Sequence, residues 1–244
     1  MTFGSLFSGI GGMDLGLERA GMECVWQVEN DPYCLKVLEK NFPRVDQWGD
    51  VRTFPPGPPL STAFLFRPDL ICGGFPCQPV SLAGAGKGEK DARWLWPEFE
   101  RIIRLFGPSY VIVENVPGLF SRGLGLVLRD LAKAGYDAEW GVLSACSMGA
   151  THTRERVFIV GYAQSIQAWC NTGLIPAKAP DRWVPVPGKR PRAEGTPWAN
   201  EPGISRTLDG VPHRMDRNKA LGNAVVPQVA EWLGRYILER KSAS

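Results

Sequence analysis

Short apolar runs alternate with segments of helical periodicity along most of the chain. Strand-like runs occupy residues 3–7, 23–28, 70–72 and 110–113. Amphipathic or capped helical segments occupy residues 13–20, 33–41, 97–106, 121–134 and 229–238. Residues 136–145 and 157–162 are typical of a hairpin pair. This alternation predicts an α/β protein with a doubly wound, mixed but mostly parallel sheet.

One segment breaks the pattern and predicts a small irregular insert. Residues 163–213 are rich in proline and tryptophan and show little periodicity. We therefore expect a main domain of residues 1–162 plus 214–244, with residues 163–213 inserted between its two parts. The basic cluster Lys189, Arg190 and Arg192 beside tryptophans suits a nucleic-acid surface. A solvated charged loop fits that composition equally well.

Composition limits the protein class. The 244 residues suit one globular domain with at most a small appendage, and 44% of them are hydrophobic. A net charge of +3 is too small to indicate nucleic acid without a local basic surface. The sequence has neither a run of about 18 apolar residues nor a signal-peptide pattern, so we expect a cytoplasmic protein without a membrane partner. Six cysteines without a Cys-x-x-Cys pair, and two histidines, predict free thiols and no metal site.

The segment around Cys77 carries the most distinctive chemistry. An apolar run at residues 70–72 is followed by Gly73 and Gly74, and then by Phe75-Pro76-Cys77-Gln78-Pro79. The two prolines keep the backbone extended and present the thiol after a strand, at the sheet edge where α/β proteins bind ligands. Taken alone, a buried inert cysteine is the commoner interpretation.

A glycine-rich turn after the first strand predicts a nucleoside site. Residues 8–12 form this turn, a helix follows, and Glu29 ends the next strand, where its carboxylate can accept hydrogen bonds from a ribose. The turn lacks the Gly-Lys-Ser/Thr ending of a phosphate-binding loop. A nucleoside without phosphate fits better, and S-adenosylmethionine is one. A turn needed only for helix–strand packing is the alternative.

Residues 81–93 form a glycine-rich, charged loop directly after the Cys77 segment. Such a loop can be a plain surface loop. It can also be a lid over nucleic acid, with Lys87, Lys90 and Arg93 near phosphates, and its position beside Cys77 favours the lid.

A series of ordered blocks resembles the motifs of the cytosine-C5 DNA methyltransferases. The resemblance covers about 200 of the 244 residues and omits roughly residues 163–213. The blocks are Phe7-Ser8-Gly9-Ile10-Gly11-Gly12 with Glu29 and Asp50, Gly74-Phe75-Pro76-Cys77-Gln78, Val113-Glu114-Asn115-Val116, Arg154-Glu155-Arg156, and Gly222-Asn223-Ala224-Val225-Val226-Pro227.

The resemblance implies a Rossmann-like class I methyltransferase fold and a role for each block. Cys77 would add to C6 of cytosine, Glu114 would protonate N3, Arg156 would stabilise O2, and Arg154 would orient the substrate or Glu114. S-adenosylmethionine would be the methyl donor. Its predicted contacts are Phe7, Ser8, Gly9, Ile10, Gly11, Gly12, Glu29, Asn30, Asp50, Val51, Asn223 and Val225.

The implied substrate is double-stranded DNA, with the target cytosine flipped out of the stack. The predicted DNA contacts are Ser81, Lys87, Arg93, Lys189, Arg190 and Arg192. The insert is much shorter than the target-recognition segment of sequence-specific relatives. The protein could therefore read a very short site, bind with little preference, or depend on a protein partner. An RNA cytosine methyltransferase and a catalytically silent regulator are the alternatives, although the latter is expected to lack the cysteine, glutamate or arginine.

Overall fold

The computed structural model describes residues 1–56, 67–76, 94–150, 152–166 and 214–242, which contain one seven-stranded sheet. The strand order is β3-β2-β1-β4-β5-β7-β6. The first five strands in this order run parallel, and β7 is antiparallel to both β5 and β6. The strands are β1 Thr2–Leu6, β2 Glu23–Val28, β3 Asp46–Trp48, β4 Leu70–Gly73, β5 Tyr110–Asn115, β6 Tyr136–Ser144 and β7 Glu155–Ala163. The predicted mixed, mostly parallel sheet is confirmed.

Helices cover both faces of the sheet and bury two apolar layers. One layer contains side chains of α3 and α5, and the other contains side chains of α1 and α7. Short 3₁₀ turns follow β3 and β6. The helices are α1 Gly12–Arg19, α2 Pro32–Asn41, α3 Trp96–Phe106, α4 Leu119–Arg122, α5 Leu124–Lys133, α6 Arg214–Asn223 and α7 Pro227–Ser242.

The sheet reverses direction of winding between β1 and β4. The two strands are neighbours, with Leu6 opposite Gly73, but the chain after β1 leads to β2 on one side and the chain after β4 leads to β5 on the other. The connections therefore diverge and leave a crevice at the carboxyl ends of the two strands. This crevice lies between the glycine-rich turn and the segment leading to Cys77.

Two helical predictions were wrong in detail. The single helix predicted over residues 121–134 is broken at Gly123, whose φ of −174° and ψ of −13° lie outside the helical region. A Cβ on Gly123 would lie 2.6 Å from the ring of Trp94, so a larger residue there would collide with that ring. The C-terminal helix spans Pro227–Ser242 rather than residues 229–238, and α6 precedes it where no helix was predicted.

Close packing of α7 on α1 brings the C-terminal block to the crevice. A Cβ on Gly16 would lie 2.3 Å from the carbonyl oxygen of Pro227, and a Cβ on Gly12 would lie 2.3 Å from that of Val225. Glycine at both positions lets the backbones approach to a distance that a side chain would prevent. Residues more than 200 positions apart in the sequence thus lie side by side at the crevice.

Several predictions concern residues outside the described part of the chain. They include the charged loop of residues 81–93, nearly all of the insert, and Cys77, Ser81, Lys87, Arg93, Lys189, Arg190 and Arg192. Within the described ranges, Cys24, Cys34, Cys72 and Cys146 are free thiols, as predicted. None of the helices in these ranges is long and apolar enough to cross a membrane.

Candidate active site

A cavity of about 420 Å³ opens at the carboxyl ends of β1, β4 and β5. Its size lies in the usual range for small-molecule sites, about 300–1,000 Å³. The sequence-predicted residues on its wall come from both the donor set and the catalytic set. They are Phe7, Ser8, Gly9, Glu29, Asn30, Glu114, Arg156, Asn223 and Val225.

The glycine-rich turn contains residues with positive φ angles. Gly9 and Gly11 have φ angles of 58° and 80°, which glycine adopts without steric cost. Phe7 also has a positive φ, 54°, and its ring lies 6.2 Å from that of Phe99. A non-glycine residue in this region costs of order 1–3 kcal/mol, and such strain concentrates at functional sites.

Glu29 connects this turn to the start of α2. One carboxylate oxygen accepts a hydrogen bond from the backbone N–H of Gly9 at 2.7 Å, and the other accepts from that of Asp31 at 2.8 Å. The two bonds fix the carboxylate on the cavity wall. Each oxygen retains a lone pair, so both can accept from a ribose hydroxyl.

On the opposite wall, the buried Glu114 forms an ion pair with the partly buried Arg156. They lie on the adjacent antiparallel strands β5 and β7, and Arg156 Nε is 3.0 Å from Glu114 Oε1. Burial raises the pKa of Glu114 to about 7, against the opposing effect of the positive charges of Arg156 and Arg154. The carboxyl can therefore gain or lose a proton near neutral pH.

The described segment before Cys77 is packed against this pair. A Cβ on Gly74 would lie 2.4 Å from Glu114 Oε2, so only glycine fits beside the carboxyl. The side-chain amide of Asn115 donates to the carbonyl oxygen of Phe75 at 3.1 Å. Pro76, the last described residue before Cys77, lies on the cavity wall.

Arg154 makes contacts other than those expected from its sequence position. It lies just before β7 with a φ of 31°, and its guanidinium donates to the carbonyl oxygens of Gly222, at 2.8 Å, and Ala224. It therefore binds the C-terminal block and not the carboxylate of Glu114. Its positive charge still lowers the pKa of Glu114.

Five predicted donor contacts lie outside the cavity wall. Asp50 caps the 3₁₀ turn by accepting from the backbone N–H of Arg52 at 3.0 Å, and it pairs with the Arg52 guanidinium at 3.3 Å. Val51 is buried in the core. Gly11 packs against the ring of Phe42, and Ile10 and Gly12 are likewise not on the wall.

The cavity is also lined by residues that no sequence pattern indicates. Ser5 and Asp14 form its floor, and Asp31 and Lys219 form an ion pair at its rim, with Lys219 Nζ 2.7 Å from Asp31 Oδ2. Asp31 is also the N-cap of α2, since its carboxylate accepts from the backbone N–H groups of Tyr33 and Cys34. No local pattern could indicate a pair 188 residues apart.

Comparison with known proteins assigns the family. A profile of C-5 cytosine-specific DNA methylases matches residues 1–189. The chain belongs to the C-5 cytosine-specific DNA methylase family. The type II methyltransferase M.HgiCII of Herpetosiphon aurantiacus is 36% identical over 172 residues, covering 67% of this chain and 38% of its own length. M.NgoBI of Neisseria gonorrhoeae is 36% identical over 166 residues, covering 66% and 50%.

A solved structure supports the fold of this methylase chain. The methyltransferase EhMeth of Entamoeba histolytica superposes with a TM-score of 0.66 over 98% of both chains, at 14% identity. At that identity the similarity concerns the fold alone, and it agrees with the class I methyltransferase architecture predicted for the sheet. The chain spans half or less of the length of M.HgiCII and M.NgoBI.

Proposed function

We propose that this chain transfers a methyl group from S-adenosylmethionine to C5 of cytosine in DNA. One observation carries the proposal. A buried glutamate that titrates near neutrality and an arginine share a cavity with the glycine-rich turn and Glu29, and the segment leading to Cys77 borders the same cavity. The family of the chain supports the same reaction.

The donor side of the cavity fits S-adenosylmethionine. Glu29 is held by two backbone hydrogen bonds beside a space large enough for a nucleoside, and Ser8, Gly9, Asn223 and Val225 complete the surrounding wall. These residues would hold the donor, which when bound supplies an electrophilic methyl group for C5. No phosphate-binding loop is required, because the donor has no phosphate.

The catalytic side would activate the cytosine ring. The Cys77 thiolate forms a bond to C6, and the electron pair moves toward N3 and O2. Glu114 donates a proton to N3, and Arg156 stabilises the charge at O2, so both act more strongly on the transition state than on the ground state. After methylation, C5 loses its proton and Cys77 leaves C6 by β-elimination.

The DNA substrate would have to be distorted for this chemistry. C5 and C6 are enclosed in a stacked duplex, so the target base is flipped out at a cost of a few kcal/mol. The basic residues expected to bind DNA lie in the loop of residues 81–93 and in the insert. We infer that so short an insert reads a very short site, binds with little sequence preference, or acts together with a protein partner.

A labelling assay tests the proposal. The full chain is incubated with methyl-labelled S-adenosylmethionine and either duplex DNA or RNA, and the product is digested to identify the methylated base. We expect 5-methylcytosine in DNA, its loss in Cys77→Ser, and its retention in the matched control Cys146→Ser. Label in RNA alone, or label that persists in Cys77→Ser, would overturn the assignment.

Trapping tests the covalent step separately. A duplex containing 5-fluorocytosine cannot lose its C5 substituent, so wild-type protein should accumulate a denaturation-resistant adduct in the presence of donor. Cys77→Ala should form none. An adduct of equal yield in Cys77→Ala would show that another residue attacks the ring.

A further inference from the structure

We propose that Asp14 is a positioning residue for the donor pocket, whose carboxylate fixes the hydroxyls of Ser5 and Ser8 beneath the glycine-rich turn. The inference rests on the proposed donor site and extends it to a residue on the cavity floor. Asp14 lies in the first turn of α1 and is fully buried.

A chain of hydrogen bonds connects Asp14 to the turn. Ser8 Oγ lies 2.9 Å from Ser5 Oγ, and Ser5 Oγ donates to Asp14 Oδ2 at 3.1 Å. The other carboxylate oxygen accepts from Gln27 Nε2 at 2.7 Å. Gln47 Nε2 donates in turn to Gln27 Oε1 at 3.3 Å, so the chain extends from β1 across β2 to β3. Ser5, Ser8 and Asp14 all lie on the cavity wall.

The Asp14 carboxylate lies in a buried, largely apolar environment. The groups that donate to it are the neutral hydroxyl of Ser5, the amide of Gln27 and, at 3.9 Å, the thiol of Cys24. Met13 and Leu17 on the same helix are buried. Burying a charge with neutral partners is costly, which is consistent with a role beyond helix packing. Because the carboxylate accepts at both oxygens, it determines which way the Ser5 and Gln27 side chains point.

The charge of Asp14 should change within an accessible pH range. Burial raises the pKa of Asp14 to about 6. The titratable neighbours are Glu18 on the same helix, Cys24 on β2 and Cys72 on β4, and burial keeps both thiols protonated by raising their pKa values. Protonation turns one oxygen of Asp14 from a hydrogen-bond acceptor into a hydrogen-bond donor. The affinity for S-adenosylmethionine should therefore weaken as the pH falls through about 6.

Calorimetric titration of S-adenosylmethionine into the full chain between pH 5.5 and 8 tests the inference. Asp14→Asn should raise Kd about tenfold at pH 8, as expected for losing a hydrogen bond to a charged group, and should remove the pH dependence near 6. Ser5→Ala retains the carboxylate but cuts the connection to Ser8, and should also weaken binding. Glu39→Gln, which alters an exposed glutamate on α2, is the matched control and should keep both the affinity and the pH dependence.

The outcomes separate the inference from the donor assignment. Wild-type affinity and pH dependence in Ser5→Ala would overturn the positioning role, even if Asp14→Asn fails to fold. A weaker affinity whose pH dependence persists in Asp14→Asn would indicate a merely structural carboxylate and would also overturn it. Absence of S-adenosylmethionine binding by the wild type would overturn the proposed donor site itself.

Discussion

At the level of single residues, two opposing effects set the protonation state of Glu114. Burial favours the protonated carboxyl, and the guanidinium of Arg156 favours the ionised one. The result is a group that titrates near pH 7 instead of one fixed in either state. A proton donor for N3 needs this intermediate acidity, because general acid catalysis is most efficient when the pKa lies close to the working pH.

Replacing Glu114 by Gln should lower kcat by about two to four orders of magnitude, the usual contribution of general acid catalysis. The affinity for S-adenosylmethionine should change little, because the proposed donor contacts lie on the other wall. In the wild type, kcat should fall as the pH rises through about 7, since the protonated carboxyl is consumed. Glu114→Gln should lack this decline.

The control for this experiment is Glu139→Gln, which alters another buried glutamate of the same sheet, one paired with Tyr236 on α7. Its kcat and the decline above pH 7 should match those of the wild type in steady-state assays. If Glu114→Gln retains wild-type turnover, Glu114 has no part in the mechanism.

Helix α1 contacts the C-terminal part of the chain at its glycines, which have no side chain. The glycines of α1 let α7 pack against its backbone, and this contact holds the C-terminal block beside the glycine-rich turn. Arg154 and Lys219 add polar links from that block to the β6–β7 turn and to the start of α2. The cavity therefore depends on packing between elements distant in sequence.

Substituting Gly16 by Ala should destabilise the protein by about 1–3 kcal/mol, the usual cost of overpacking. The added Cβ would lie 2.3 Å from the Pro227 carbonyl oxygen and 2.5 Å from the Ala230 Cβ. Gly125→Ala is the matched control, since nothing lies within 4 Å of its Cβ position in α5. It should stabilise the protein by about 0.5–1 kcal/mol through helix propensity. In denaturant unfolding, the free energy of unfolding should fall in Gly16→Ala and rise in Gly125→Ala. Changes of the same sign in both variants would contradict close packing at Gly16.

Lys219→Ala should weaken donor binding several-fold, because the ion pair with Asp31 connects α6 to the rim beside Glu29. Its effect on the free energy of unfolding should stay below about 1 kcal/mol, since the pair is largely exposed. Arg235→Ala breaks a comparable exposed pair with Glu231 within α7. It should leave the Kd for S-adenosylmethionine unchanged in calorimetry. An equal loss of affinity in both variants would show that the Lys219–Asp31 pair has no specific role in binding the donor.

At the scale of the whole molecule, the proposed donor and acceptor sites occupy one continuous cavity. Its wall combines the ends of β1, β2, β4 and β5 with the C-terminal block, and the switch in winding between β1 and β4 creates the space. Binding of DNA requires further surface, for which the basic residues of the insert are the sequence-based candidates. The contribution of these basic residues can be measured from the salt dependence of DNA binding.

Neutralising Lys189, Arg190 and Arg192 together should weaken DNA binding at all sequences and reduce the slope of log K against log salt. Three lost phosphate contacts would lower the slope by about 2.7 on B-DNA. Arg104 and Lys133 lie in the last turns of α3 and α5, where the Arg104 guanidinium donates to the carbonyl oxygen of Lys133 at 3.4 Å. Their neutralisation should leave the slope unchanged in fluorescence titrations. An unchanged slope in the triple variant would indicate a solvated surface cluster.

The sequence by itself determined the elements and the chemical types available to the site. Periodicity identified most strands and helices, and the glycine-rich turn, Glu29 and Glu114 were recognisable because each depends on local spacing at the end of a strand. The tertiary structure decided which groups meet. The ion pair of Glu114 with Arg156, the contact of Arg154 with the C-terminal block, and the buried network of Asp14 all join separate elements. Packing and burial set these contacts and the resulting pKa values, and neither leaves a periodic signal in the chain.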